Sequence, residues 1–124
     1  MKGFFRKKHK PEIRVITYDI SSLGKEYSIQ LWLDGKQMGT AQIKNQSDVA
    51  YFHSFMLNEG VRGKGLGKFM LEKTIELLRG DSAFTNITLN VKPDNKNAIK
   101  LYEKLGFTVV GSEKTMFYMQ KCLW

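Results

Sequence analysis

Apolar and polar positions alternate over several short stretches of this chain and take on a helical period over two others. Ile13, Val15, Ile16 and Thr17 give residues 13–19 the β-branched content of a first strand. After a turn-like stretch at 21–25, Tyr27, Ile29, Leu31 and Leu33 alternate with Ser28, Gln30 and Trp32, the period of a strand with one buried face. Asp34 and Gly35 follow at once and suit the two positive-φ positions of a type I′ turn, so residues 37–43 should return antiparallel. Residues 45–48 predict a second turn. Residues 49–57, nearly continuous in apolar side chains, predict a central fourth strand.

From 65 to 79 the period lengthens. Lys68, Glu72, Glu76 and Arg79 fall on one side and Leu66, Phe69, Met70, Leu77 and Leu78 on the other, which predicts an amphipathic helix ended by Gly80 and Asp81. Ile87, Leu89 and Val91 alternate again in a fifth strand, 86–91. Pro93, Asp94 and Asn95 signal a second helix start; Ala98, Leu101, Tyr102 and Leu105 keep helical spacing, and Gly106 suits the positive φ that follows a helix. Residues 107–110 and 115–121 should close as a hairpin around 111–114. The strand, helix and strand between 49 and 91 form a crossover, so those two strands run parallel while the hairpins are antiparallel. The expected fold class is α/β (α+β): a mixed, mostly antiparallel sheet of about seven strands with two main helices.

Composition narrows the picture. A chain of 124 residues, 42% hydrophobic and 26% charged, is one domain's worth and can bury a core. Apolar runs such as 55–57 and 69–71 fall far short of the ~18 residues of a membrane-spanning helix, so no membrane partner is expected. The basic start is followed by a polar, alternating stretch rather than the apolar core of a secretory signal. The single cysteine, Cys122, has no disulfide partner and no companions at metal-ligand spacing. Both features point to a cytoplasmic protein without a metal. Of the net charge of +8, Lys2, Arg6, Lys7, Lys8 and Lys10 carry five positive charges in a stretch with no acidic residue. Residues 1–10 thus form a basic arm ahead of a domain at 11–124. A nucleic-acid contact through the arm is open, a solvated terminus is favoured, and Phe4 and Phe5 argue mildly for docking.

The most informative stretch is Arg62, Gly63, Lys64, Gly65, Leu66, Gly67 and Lys68, set between a strand and a helix. Alternating glycines let the main chain turn sharply and approach a ligand, and the helix start presents unpaired N–H groups, so the stretch suits an anion, most naturally a phosphate. It is not a P-loop, because Lys68 is followed by Phe69, nor a dinucleotide fingerprint, which starting from Gly63 would need glycine at 68. Tight strand-to-helix packing is the alternative reading.

Arg62, Gly65 and Gly67 resemble the Q/R-x-x-G-x-G/A pyrophosphate motif of the GNAT N-acetyltransferase superfamily. Asn95, Ala98, Leu101, Tyr102, Glu103, Lys104, Leu105, Gly106 and Phe107 are similar to its second signature. The likeness covers roughly residues 26 to 121 and implies a GNAT-like acyl-CoA N-acyltransferase fold whose central parallel pair splays apart. It implies transfer of an acetyl group from acetyl-CoA, with no metal, to a primary amine by direct attack. Carried over, the backbone of Phe55, Met56 and Leu57 would pair with the pantetheine arm. The N–H groups from Gly63 to Lys68 would hold the pyrophosphate beside Arg62. Asn95 would contact the cofactor arm, and its other role, a helix N-cap, is compatible with this. Tyr102 would protonate the departing thiolate, where the residues alone read as a core aromatic.

Two departures matter. A glutamate used as base by some members corresponds to Asn90, which cannot accept a proton. His53, of the same strand parity as Phe55 and Leu57, is then the candidate base, or a hydrogen-bonded sheet histidine; Tyr51 shares that face, and Glu59 is more remote. The helices that members carry between their first two strands have only residues 20–25 to form from, so they are reduced or absent. That opens the acceptor side to a peptide, a protein or a dimer-completed site. A homodimer is left open, with Cys122, Leu123 and Trp124 read as exposed ends. A non-catalytic acyl-CoA-binding or regulatory module of the same fold is the alternative.

Overall fold

The computed structural model describes residues 10–20, 24–81 and 83–124. The basic arm up to His9, with Phe4 and Phe5, and residues 21–23 of the first turn lie outside the described residues. Seven strands and two helices follow in the order β1 (Pro11–Ile20), β2 (Gly24–Leu33), β3 (Lys36–Gln46), β4 (Val49–Leu57), α1 (Leu66–Arg79), β5 (Asn86–Val91), α2 (Lys96–Lys104), β6 (Thr108–Glu113) and β7 (Met116–Cys122), with a 3-10 turn at Glu59–Val61 between β4 and α1. They form one sheet in the order β1-β2-β3-β4-β5-β7-β6. Every pair is antiparallel except the central β4 and β5. The mixed, mostly antiparallel sheet with a parallel centre is the expected one.

Register shows which side chains share a face. Ile29 sits opposite Ala41, Ile43 opposite Phe52, Ala50 opposite Ile87 and Leu89 opposite Met119. All are buried in one cluster with Met70, Leu71, Ile75 and Leu78 of α1 and Tyr102 of α2. Both helices therefore pack on the same, inner face. On the outer face Gln30 opposes Thr40, Gln42 opposes His53, and Thr88 lies between Tyr51 and Gln120. No described helix covers that face, and its residues are accordingly polar. β1 pairs with β2 from Pro11 opposite Leu33 to Ile20 opposite Gly24, so the two strands follow each other directly and the helices expected to be missing have no place between them.

Several local expectations hold for their stated reason. Asp34 and Gly35 have φ of 52° and 78°, the type I′ pair, and Gly106 has φ of 96° just after α2. Others need correction. β4 is central but not apolar throughout: buried Ala50 and Phe52 alternate with half-buried Val49, Tyr51 and His53, because only one face has a core to meet, and beyond His53 none of its residues is fully buried. Ser28 points outward yet is buried, covered by Gln42, whose Nε2 donates to its Oγ at 3.2 Å. The turns are tighter than predicted. Residues 45 and 46 still pair in β3, and the last hairpin turns at Lys114 and Thr115, because Gly111, Ser112 and Glu113 pair with Tyr118, Phe117 and Met116 beyond a bulge at Val110. Leu123 is buried, not exposed: its N–H donates to the Thr85 carbonyl at 2.9 Å, while Arg79 Nε donates to the Leu123 carbonyl at 2.9 Å. Cys122 and Trp124 are exposed as expected.

The end of α1 is tied to β2 by the Tyr27 hydroxyl, which donates to Asp81 Oδ2. This bond holds the Asp81 carboxyl below its usual range, while burial and the adjacent carboxylate push the Tyr27 phenol up to about 12. Asp81 thus adds stability above the ordinary carboxylate pKa and loses it as pH falls through its lowered value. The Tyr27 contribution is intact below pH 10 and is lost as pH rises through about 12. Tyr27→Phe should lower the unfolding free energy by about 1 kcal/mol and weaken the acid dependence of stability, which urea titrations at neutral and acidic pH will measure.

Candidate functional site

β4 and β5 are joined by only three residue pairs, Val49 with Asn86, Ala50 with Ile87 and Tyr51 with Thr88. Beyond Tyr51 the strands part, leaving the edge of β4 that faces β5 unpaired. Against β3, β4 carries one extra residue: Gln42 opposes His53 and Thr40 opposes Met56, with Ser54 at φ of 53°. Such a bulge breaks the alternation of side chains. Phe52 and Phe55 consequently face the core together, their rings 5.2 Å apart, and Leu57 packs there too. His53 stays on the outer face, stacked on Tyr51 with ring centres 5.1 Å apart and an interplanar angle of 15°. The expected shared parity of His53 with Phe55 and Leu57 is therefore wrong, whereas its sharing a face with Tyr51 is right.

The fork holds a cavity of about 460 Å³. Phe52, Phe55, Leu89, Val91 and Tyr102 line it from the inner face, His53, Asn90 and Met116 from the outer face, with Lys92 and Asn95 at its rim. The opening runs through the sheet and joins its two faces. On the outer side Asn90 Nδ2 donates to the Tyr51 hydroxyl at 3.1 Å, bridging the two strands where they separate. His53 Nδ1 and Ser54 Oγ are 3.0 Å apart. At the rim, Asn95 Oδ1 accepts from the Ala98 N–H at 3.3 Å, the N-cap of α2.

The glycine-rich turn lies at the open end of the fork. Gly63 and Gly65 both have φ of 77°, a conformation that favours glycine, and a Cβ at either would meet nothing within 4 Å. Gly65 is the N-cap of α1, with no side chain capping it. The N–H groups of Leu66, Gly67 and Lys68 precede the first helical bond, Phe69 to the Gly65 carbonyl at 3.1 Å, so they remain available to an anion. Gly67 packs beneath: a Cβ there would lie 3.5 Å from the Phe55 ring and 3.4 Å from Leu57. Arg62 is anchored beside the turn by its Nε, which donates to the Leu57 carbonyl at 3.1 Å. Lys64 and Lys68 are exposed. The residues fit a diphosphate, while the close contacts of Gly67 show that the turn also packs tightly on β4.

A profile described as Acetyltransferase (GNAT) family matches residues 2–107. The chain belongs to the GNAT acetyltransferase family. The match begins earlier and ends sooner than the stretch that carried the resemblance. A kanamycin resistance protein of Rhizobium radiobacter is 38% identical over 60 residues, 48% of this chain and 56% of that protein. The N-alpha-acetyltransferase 50 of Danio rerio is 34% identical over 56 residues, 45% of this chain and 33% of that protein. The matched stretch thus spans about half, or less, of these relatives' length. The PaiA N-acetyltransferase of Thermoplasma acidophilum, solved in complex with coenzyme A, superposes with a TM-score of 0.72 over 78% of this chain and 60% of its own, at 21% identity, a likeness of fold.

Within this GNAT chain, the fork brings together four of the residues singled out from sequence, His53, Phe55, Asn95 and Tyr102. Met56 and Leu57, and the stretch from Arg62 to Lys68, stand at its open end and do not line the cavity; Glu59 lies apart in the 3-10 turn. Tyr102 is buried against Phe107, and among the described residues its hydroxyl has no hydrogen-bond partner. Burial pushes its phenol up to about 12, so it is neutral at physiological pH. Sequence reasoning missed the Tyr51 to Asn90 bridge, Lys92 and Met116. The bridge depends on the angle at which β4 and β5 part, and Met116 on the tightness of the last hairpin, neither of which has a local sequence signal.

The two open glycine positions separate conformation from space. Gly65→Ala forces alanine into the left-handed region and should cost about 1–2 kcal/mol of stability, whereas Gly60→Ala, equally open but without a positive φ, should cost less than about 0.5 kcal/mol. Equilibrium unfolding of both variants checks the difference.

Proposed function

We propose that this chain transfers an acetyl group from acetyl-CoA to a primary amine. The observation that carries the reading is the opening through the sheet, which has an anion cradle at one end, Tyr102 on its inner wall and His53 on its outer side. The N–H groups from Gly63 to Lys68, with Arg62, Lys64 and Lys68, hold the diphosphate of the donor. The unpaired edge of β4 at Phe55, Met56 and Leu57 offers main-chain groups to the amide-rich pantetheine arm, as an added strand would. Asn95, its Oδ1 spent on the cap, has its amide nitrogen left for the arm. The donor occupies the inner side, and the amine reaches the thioester from the outer face, which no described helix covers.

In the transfer a carbon–nitrogen bond forms, the carbon–sulfur bond breaks, and one proton leaves the nitrogen while the thiolate gains one. His53, an imidazole on the side from which the amine arrives, takes the proton from nitrogen. Tyr102 faces the departing sulfur. With its phenol near 12, well above the ~8.5 of a free thiol, it acts by donating a hydrogen bond to the developing thiolate, and the proton that His53 takes from nitrogen balances the one the thiolate gains. The single cysteine keeps the cytoplasm as the favoured compartment.

Calorimetric titration of acetyl-CoA into the wild-type chain and into Gly65→Glu tests the cradle. Micromolar binding that the variant abolishes is the expected result, and no binding to the intact chain overturns the enzyme reading. Tyr102→Phe should lower kcat about 100-fold with little change in donor affinity. Unchanged turnover would remove Tyr102 from the mechanism, while binding with no turnover of any amine by the wild type would favour a non-catalytic acyl-CoA module.

A further inference from the structure

The charge around the fork points to the kind of amine that enters it. Among the described residues that line the cavity there is no carboxylate; the groups there that can carry charge are Lys92 and His53. The residues outside the description, 1–9, 21–23 and 82, contain no Asp or Glu, so they cannot supply one. Lys92 also lines an adjoining cavity of about 450 Å³ together with Lys114. Its one acidic lining residue, Asp94, is thus outnumbered by two lysines. On the outer face Lys44 is exposed and stands opposite Tyr51 in the register. The acidic residues whose side chains are described on that face are already engaged. Glu12 pairs with Arg14 at 3.2 Å, Glu26 accepts from the Asn45 N–H at 3.3 Å, and Glu113 accepts from the Tyr118 hydroxyl.

A polyamine or aminoglycoside carries several ammonium groups, and each beyond the reacting one would meet these lysines, which outnumber Asp94, the one carboxylate lining the two cavities. We propose that the acceptor is the amino-terminal α-amine of a peptide whose next residues are acidic. Resting on the acetyltransferase reading above, the assignment places the amine at the mouth of the fork beside His53 and the following carboxylates between Lys92 and Lys114. The peptide runs over the outer face, where no described helix restricts an extended chain. The α-amine attacks the acetyl carbonyl, the carbon–sulfur bond breaks, and the displaced proton ends on the coenzyme thiol, leaving an N-acetyl peptide.

The test compares four acceptors with the full chain and acetyl-CoA: hexapeptides that begin with alanine and continue with two aspartates, two glutamines or two lysines, and spermidine. Thiol release gives kcat/KM for each. The expected result is a preference of about tenfold or more for the acidic over the basic peptide, shrinking as salt is added. Lys92→Glu combined with Lys114→Glu should reverse the order, and the neutralising pair Lys92→Gln and Lys114→Gln should level it, with circular dichroism confirming that both variants fold. Equal or greater use of the basic peptide or of spermidine overturns the assignment while leaving the enzyme reading intact. Acetyl-CoA binding without turnover of the peptides also overturns it. Absence of acetyl-CoA binding instead overturns the reading beneath it.

Discussion

The parting of β4 from β5 is the constraint on which the rest of the molecule depends. A sheet that opens leaves main-chain N–H and C=O groups without partners, a costly state unless water or a ligand meets them. Here the opening is confined to the residues beyond Tyr51 and is shaped by the bulge at Ser54. The bulge turns Phe55 inward, where it joins Phe52 and closes the inner side of the fork with Tyr102. On the outer side the bond from Asn90 to Tyr51 holds the strands at the point of separation. The unpaired edge therefore lies between the packed inner face and this hydrogen-bonded bridge, as a binding site for an amide-rich ligand requires.

The one-sided architecture follows from the brief connection between β1 and β2. With both described helices on the inner face, no described helix shields the outer face from water. It is organised by side-chain hydrogen bonds, across the strands from Gln42 to Ser28 and from Gln120 to Asn86, and along a strand from Gln42 to Thr40 and from Trp32 to Gln30. The Arg14 guanidinium covers the Trp32 ring at 3.9 Å. Bonds of this kind contribute about 0.2–1 kcal/mol each, enough to order a surface without making it a second core. An uncovered, ordered face beside the fork is open to a large acceptor, which an enclosing helix pair would restrict.

Tyr102 shows how packing sets the chemistry of a residue. The wall of apolar side chains that makes it a core aromatic also raises its phenol to about 12 and leaves its hydroxyl without a partner among the described residues. The structural and catalytic readings of that side chain are thus two consequences of one environment. The same holds for Asn95, whose cap fixes the start of α2 and so the position of Tyr102 two turns along the helix.

Periodicity and turn chemistry alone determined much of this protein. β4 spans the apolar run read for it and β5 begins and ends where alternation does, the Asp34 and Gly35 pair forces its hairpin, and Gly63, Gly65 and Asn95 mark the two helix starts because positive φ and N-capping admit few residue types. The face on which His53 stands was decided by the tertiary structure. A bulge at a serine leaves no compositional mark, since it arises from how β4 must bend to stay on β3 while leaving β5. Packing also decided that Leu123 is buried and that Lys92 and Lys114 share a cavity, because these outcomes depend on distant segments meeting. Local pattern records the preferences of neighbouring residues; the opening through the sheet is a property of strands 37 residues apart in their first pair, Val49 and Asn86, and exists only once they are placed side by side.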